Sequence, residues 1–366
     1  MTGIPVVLLT GFLGSGKTTL LSQLLKDPRY SDTAVVINEL GEIDLDHYLV
    51  ETSQDAFLQM TFGCVCCTVR GDIRQTLLML HERSARGEIP TFARLVIEAN
   101  GLADPAPVMH TLMTDPSLTR LYTLAGVVTT FDAVNGLGTL DRHEECLKQV
   151  AVADRLVLGK IDLLNETIAR LKLPELRTRL RKLNPGAELI EKSAAPLDPA
   201  ILFAANPYDP TGKNFDVQGW LREEAYCDAN DHEGHDHVHH AHDSEAHTHD
   251  SQRHGDDIHS YCLIRETPLD SLAFTVALDL LKAHRGEDLL RVKGIVNLRN
   301  KPDRPLIIQG VQHVFHEPLW LDGWPSDDQR TRIVFVTRNL PKAAVEEFIS
   351  AFGAAADART QPATNV

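Results

Sequence analysis

Within Gly11-Phe12-Leu13-Gly14-Ser15-Gly16-Lys17-Thr18-Thr19, three glycines, a lysine and adjacent hydroxyls stand in the spacing G-x-x-x-x-G-K-[ST]. That spacing describes a phosphate cradle. Gly11, Gly14 and Gly16 let the backbone turn its N–H groups inward on an anion, and a helix starting there points its positive end at the same charge. Lys17 is placed to reach the β- and γ-phosphates, and Thr18 to offer a hydroxyl to magnesium, with Ser15 and Thr19 in the same cradle. The context agrees. Apolar Ile4 to Leu9 precedes the glycines as a buried strand, and Leu20, Leu21, Leu24 and Leu25 follow at helical spacing. An ordinary glycine-rich turn needs neither the full motif nor that setting.

A second set of reactive side chains is Cys64-Val65-Cys66-Cys67. Lone Cys146 and Cys262 read as packing residues, but three thiols in four positions do not. Thiolates near a helix N-terminus ionise readily, which suits a soft metal. Adjacent cysteines cannot face the same way on an extended backbone, so a loop curled around an ion is expected, with Thr68 capping the helix that follows. Three sulfurs leave a tetrahedral zinc shell one ligand short, and Glu39, Glu42, a histidine or water are candidates for the fourth place. Glu39 and Glu42 directly follow the β-branched run Thr33 to Asn38, where an acid lies at the metal and phosphate end of an open sheet. Glu39 is equally a candidate for the magnesium shell or for the attacking water; a solvated acidic loop accounts for Asp44 and Asp46.

Two further strand ends carry chemistry. Arg94 to Glu98 reads as a core strand ending in an acid, the place from which a carboxylate holds a magnesium-bound water. Asp154 to Gly159 reads as a buried strand followed by Lys160-Ile161-Asp162. An aspartate there accepts both N1–H and N2–H of guanine, a pair of donors adenine does not present, while the lysine stem packs on the base. This favours GTP over ATP.

From His232 to His259 ten histidines stand among acids, glycine and serine, with few apolar residues. Such a segment cannot bury enough surface to fold by itself and reads as a flexible linker. His232, His235, His237, His239, His240, His242, His247 and His249 are candidate auxiliary ligands, since neutral imidazoles take zinc, nickel, copper or cobalt. A solvated linker with incidental metal affinity is the alternative that composition allows.

The elements that must position these groups follow from the patterning. The chain has 366 residues and a formal net charge of -15, so two domains are the natural expectation and a nucleic-acid partner is disfavoured. No apolar run approaches the ~18 residues of a membrane span, which points to a cytoplasmic protein, and there a cysteine cluster suggests metal before disulfides. Strands alternating with helices imply an α/β domain, a mostly parallel sheet with helices on both faces. Its last helix is predicted from Pro174 to Leu183 and its last strand at Glu188 to Glu191. Past the linker, a strand at Ser260 to Ile264 precedes a helix capped by Thr267, with Pro268 first and Leu269, Leu272, Val276 and Leu280 on one face. Strands around Leu290 to Val296, Leu306 to Gln309 and Arg332 to Thr337, then a helix from about Pro341, complete a small α+β domain. His313 and His316 read as edge-strand residues, and Trp320 and Trp324 as packing or partner anchors. The expected division is a P-loop domain at 1–205, a metal-binding linker at 206–258, the α+β domain at 259–352 and a disordered tail at 353–366.

The cradle, Asn38-Glu39-Leu40-Gly41-Glu42, Gly63-Cys64-Val65-Cys66-Cys67, Glu98 to Pro105, Gln149 to Asp154 and Lys160-Ile161-Asp162 occur together and in order. As a set they resemble the CobW-type metallochaperone GTPases, relatives of the urease and hydrogenase nickel-insertion GTPases. Leu290 to Gly294 and Gln309-Gly310-Val311 resemble that family's second domain, so the likeness covers nearly the whole chain. The resemblance implies slow, magnesium-dependent GTP hydrolysis coupled to delivery of a transition metal to a client protein. The metal is most often zinc, with cobalt or nickel as alternatives. On this reading Lys17, Glu39 and Glu98 form the catalytic set, Cys64, Cys66 and Cys67 hold the cargo, and the histidine tract collects it. The competing expectation is a metal buffer whose nucleotide site is regulatory or inert; an ATP-dependent kinase would leave the cysteines and histidines unexplained. Two departures from the family pattern stand out. Ala99 and Asn100 replace hydroxyl residues after Glu98, and Gly159 replaces the asparagine before the base-reading lysine.

Overall fold

The computed structural model describes residues 3–38, 57–59, 65–69, 72–191, 198–203, 221–222, 225–226 and 258–360. Glu39, Glu42, Cys64 and the histidines from His232 to His249 lie outside them, as does nearly all of the expected linker.

The first domain runs β1 (Ile4–Thr10), α1 (Lys17–Lys26), β2 (Thr33–Asn38), β3 (Phe57–Gln59), β4 (Val65–Val69), α2 (Ile73–Ala85), β5 (Arg94–Glu98), α3 (Ala106–Thr114), α4 (Leu118–Leu121), β6 (Tyr122–Asp132), α5 (Gly136–Arg142), α6 (Glu144–Ala151), β7 (Arg155–Gly159), α7 (Glu166–Leu183), β8 (Glu188–Glu191) and α8 (Ala200–Phe203). Its strands form one sheet in the order β3-β4-β2-β5-β1-β6-β7-β8, parallel throughout except for the β3–β4 pair. The two-residue period of β1 explains why the sheet is covered on both faces. Val6 and Leu8 pack with Leu77, Leu80, Met109 and Leu112 of α2 and α3, while Val7 and Leu9 pack with Leu20, Leu21, Leu24 and Leu25 of α1.

Local expectations fail where tertiary structure supplies a better partner. The cysteine segment is not a curled loop from Val65 onward. It is β4, with Cys66 opposite Val35 and Leu58, and Cys67 opposite Val36 and Phe57. Backbone pairing on both sides holds it extended. Thr68 is therefore a strand residue, and Asp72 caps α2 by accepting from Arg74 N–H at 2.9 Å. Pro174 does not start a helix; it lies inside α7, which starts at Glu166 behind an Asn165 cap bonded to Ile168 N–H. An interior proline costs about 3 kcal/mol, whereas buried Leu173, Leu176, Leu180 and Leu183 each contribute roughly 1.5–3 kcal/mol. Burial wins.

The second domain is an antiparallel sheet of β9 (Ile258–Arg265), β10 (Arg291–Val296), β11 (Leu306–Val311), β12 (Val314–Phe315), β13 (Leu319–Trp320) and β14 (Thr331–Arg338), ordered β12-β11-β10-β14-β9 with β13 on β11. Two helices, α9 (Ser271–Arg285) and α10 (Lys342–Thr360), accompany it. The last helix runs past Gly353, where a tail was expected. α9 is rotated from its predicted face: Asp270 caps it, Ala273, Phe274, Ala277 and Leu281 are buried, and Leu272 is 68% exposed. The reason is that Leu269 is held outside the helix, bonded to Asn297 O and to Arg299 N–H. Alternation along β9 and β10 divides the sheet. Tyr261, Leu263, Val292 and Val296 face the domain's own core, and Cys262 and Ile295 pack with Leu147, Leu176, Leu180 and Leu183 of the first domain. No described helix is long and apolar enough to cross a membrane.

Candidate nucleotide-binding site

The cradle is built where β1 hands over to α1. Gly11, Gly14 and Gly16 have φ of 136°, 72° and 106°, conformations that L side chains rarely adopt. At Gly11 space forbids a side chain as well, because a Cβ would stand 2.3 Å from Thr130 O. At Gly16 nothing lies within 4 Å of that position, which leaves the helix entrance open to an anion. α1 carries no side-chain cap there, so its first N–H groups remain available. Four buried leucines, rather than a cap, hold the helix in place. Lys17 is buried and donates Nζ–H to Gly11 O at 2.8 Å, so its ammonium lies along the cradle. Ser15 and Thr130 share a hydroxyl bond of 2.7 Å that clasps the loop to β6. Thr18 and Thr19 are exposed. Open amides, an inward ammonium and a free threonine hydroxyl fit a magnesium-bound nucleoside triphosphate.

The parallel sheet gathers the other predicted groups at the same edge. Glu98 ends β5, pairs in register with Leu9 and Ile37, and is buried. Asn38 ends β2 beside it. Lys160 follows β7 with φ 62°, a left-handed conformation that costs a non-glycine residue roughly 1–2 kcal/mol. Its Nζ donates to Asp132 Oδ2 at 2.9 Å and lies 3.9 Å from where a Cβ on Gly14 would be. Burial would raise the Asp132 carboxyl, but Lys160 and the N–H groups of Val134 and Asn135 hold it below the usual range. Asp162 is exposed on the turn that follows. The cradle and the turn that carries Lys160 and Asp162 are thus brought together, with Glu98 one strand over. Among the described residues no group of three or more His, Cys, Asp or Glu could hold a metal; the expected cargo ligands fall outside the described side chains.

Sequence reasoning missed the polar seam behind the site. Gln149 is fully buried, and its Nε2 donates to Gly101 O and Ala103 O, each at 3.1 Å. Gly101 in turn lies against the cradle, since a Cβ on it would stand 2.8 Å from Leu13 N. Asp104, three residues on, meets Lys148 at 3.3 Å and accepts from Gln312 Nε2 of the second domain at 3.2 Å. Lys148 also pairs with Glu144, which pairs with Arg338 of β14. Deeper in the seam, Asp154 accepts from Val127 N–H, from Lys293 Nζ at 2.9 Å and from Arg291 Nη2. Burial alone would raise its carboxyl, yet the two cations bring it to about 2. Burial takes Lys293 the other way, to about 8, because Asp154 is shared with Arg291. A visible signal for this hub existed: Arg291 and Lys293 alternate on one face of an otherwise apolar strand.

A strand, a glycine cradle, a helix, and acids gathered at one edge of a parallel sheet define a P-loop nucleotide-binding protein. A family model for the CobW/HypB/UreG nucleotide-binding domain matches residues 5–191, and one for the cobalamin synthesis protein cobW C-terminal domain matches residues 258–352. The chain belongs to this family. It is 30% identical over 352 residues to the zinc chaperone YjiA of Escherichia coli (strain K12), covering 96% of this chain and 98% of that protein. To the zinc chaperone CobW of Sinorhizobium sp it is 28% identical, covering 95% and 97%. The crystal structure of Zn(II)-bound YjiA GTPase from E. coli superposes with a TM-score of 0.71 at 27% identity, covering 96% of this chain and 99% of that one. A Zn(II)-bound YjiA triple mutant, with one glutamate and two cysteines changed to alanine, gives 0.69 at 28% identity, covering 97% and 99%.

Proposed function

We propose that this chain is a GTP-hydrolysing metallochaperone that carries zinc and releases it to a metal-requiring client under control of the GTP cycle. The observation that carries the reading is the position of β4. The strand bearing Cys66 and Cys67 belongs to the same sheet as the cradle, separated from β1 only by β2 and β5. Three strand spacings amount to about 14 Å, and the intervening strands are those that end at Asn38, just before Glu39, and at Glu98. Whatever moves these strand ends on nucleotide exchange therefore lies between phosphate and thiols. The names of the relatives support zinc as cargo, with Cys64, Glu39 or Glu42, and one of Cys66 and Cys67 as its ligands, since the extended β4 turns those two neighbours to opposite faces.

In hydrolysis the cradle amides and Lys17 hold the β- and γ-phosphates, and Asp162 accepts the guanine N1–H and N2–H. Thr18 and Glu98 are the residues that would hold magnesium, which neutralises charge developing on the phosphates. Glu39 orients the attacking water, whose oxygen bonds to the γ-phosphorus as the bond to the β–γ bridging oxygen breaks, giving GDP and phosphate. If the two sites are coupled, GTP must tighten zinc binding by the factor by which zinc tightens GTP binding, on the order of five- to 150-fold for a useful switch. The test is chelator competition for zinc in the presence of GDP and of a non-hydrolysable GTP analogue, for wild type and Cys66→Ala/Cys67→Ala. Equal wild-type affinities in both nucleotide states would reject the mechanism. Steady-state GTP turnover separates it from a metal buffer, which has none above background.

A further inference from the structure

We propose that Asp132 is a positioning residue that sets the base-reading turn, and with it guanine selectivity, in place of the side-chain amide absent at Gly159. The inference rests on the assignment of Asp162 as the guanine contact and goes beyond it by naming what holds Asp162 in place.

Gly159 is not demanded by its surroundings. A Cβ there would stand 3.5 Å from Ser15 O and 3.8 Å from Phe131 O, both ordinary contacts, and its φ lies outside the left-handed range. A side chain at 159 would bridge the turn to Ser15 of the cradle, and glycine makes no such bridge. The turn nevertheless begins with Lys160 in the left-handed region, and something must hold it there. Asp132 lies directly across the sheet, in register with Gly159. One of its oxygens accepts from Val134 N–H at 2.7 Å and Asn135 N–H at 3.2 Å. The other accepts from Asn135 Nδ2 at 3.2 Å and from Lys160 Nζ at 2.9 Å. The carboxylate is thus fixed on one side and grips the lysine on the other, with a side-chain exposure of only 12%. From Lys160 the chain runs into a short 3-10 helix, closed by Leu163 N–H to Lys160 O and Leu164 N–H to Ile161 O, and that helix carries Asp162. The ion pair also spends the ammonium on Asp132, so the stem of Lys160, not its charge, is what remains to lie on the base. Asp132 orders the turn from the β6 side, where an amide at 159 would order it from the cradle side.

Steady-state kinetics on the full-length chain with GTP, ITP and ATP tests this. In Asp132→Asn, KM for GTP should rise about tenfold, the scale of one charge-assisted hydrogen bond, with kcat within about twofold, and the GTP-to-ATP ratio of kcat/KM should fall by a similar factor. ITP, which lacks the 2-amino group, should lose less. Adding Gly159→Asn to Asp132→Asn should recover at least half of the lost selectivity on a logarithmic scale. In a Lys160→Met background, Asp132→Asn should cost less than a further twofold. An unchanged GTP-to-ATP ratio in Asp132→Asn, an equal loss for all three nucleotides, or no recovery with Gly159→Asn would overturn the proposal. Asp162→Asn assayed with xanthosine triphosphate is run alongside. If it gains no preference for that nucleotide, the guanine assignment of Asp162 itself fails. If it does gain one while Asp132→Asn keeps its ratio, only the role of Asp132 is lost.

Discussion

Asp154→Asn isolates the electrostatic lock between the domains, because it keeps the shape of the side chain and removes its charge. The wild-type carboxylate is 6% exposed and serves Arg291 at 5% and Lys293 at 11%. After the substitution both cations face a neutral amide. Breaking a buried ion pair from one side costs about 3–5 kcal/mol, a large share of the ~5–15 kcal/mol that keeps a typical protein folded. At roughly 2–4 °C per kcal/mol for units of this size, Tm should fall by roughly 6–20 °C. Differential scanning calorimetry of the full-length protein reads this directly. The pH dependence carries a sign. Lys293, already lowered to about 8 by burial, should fall further without Asp154, so the folded variant sheds that proton more easily as pH rises. The Tm deficit should therefore be smaller at pH 9 than at pH 6. In wild type the carboxylate, held at about 2 against its ordinary 3.8, contributes stability that is complete above pH 4 and lost as pH falls through about 2. A Tm within 2 °C of wild type at pH 6 would refute the reasoning. The apolar triple Asp154→Leu/Arg291→Met/Lys293→Met should regain most of the loss; if it is as unstable as the single variant, shape and not charge is responsible.

Lys17→Ala should lower GTP turnover by at least roughly 10²-fold, the scale of one lost electrostatic stabiliser of the transferring phosphoryl group, with an unchanged far-UV circular dichroism spectrum; undiminished turnover would sink the nucleotide-site assignment. Deleting 234–254 should reduce the number of weakly held zinc ions measured by equilibrium dialysis while leaving one tight site and normal GTPase activity. Cys146, whose thiol burial pushes up to about 12, should resist maleimide at pH 8 in the native protein and label after denaturation, as read by mass spectrometry of the peptide that contains it.

What could be read from the chain was what is local. The cradle, its strand and its helix occupy consecutive residues, so motif and periodicity suffice, and the strand-end position of Glu98 follows from the same alternation. The ion pair of Asp132 and Lys160 depends on the β6–β7 register, and the Asp154 hub joins residues more than a hundred positions apart. Neither pairing is encoded locally, although the alternation of Arg291 and Lys293 along an apolar strand marks the cation side of the hub. In the cysteine segment, thiol spacing and side-chain direction alone point to a loop. Its two pairing partners, Val35-Val36 on one side and Phe57-Leu58 on the other, make it a strand. For α9, two stripes one residue apart both satisfied helical spacing, and the capping Asp270 selected the one that Leu272 is not on.

The sharing of α6 has a consequence for how such proteins can be recombined. This eight-residue helix holds the loop beneath the cradle through Gln149, joins that loop's Asp104 to Glu144 through Lys148, and meets the second domain through Glu144. A chimera that joins this first domain to a relative's C-terminal half must also bring a donor for Asp104, a cation for Glu144 and two cations for Asp154. Without them the foreign half unsettles residues 101–104, and nucleotide affinity shifts although no residue of the cradle has changed.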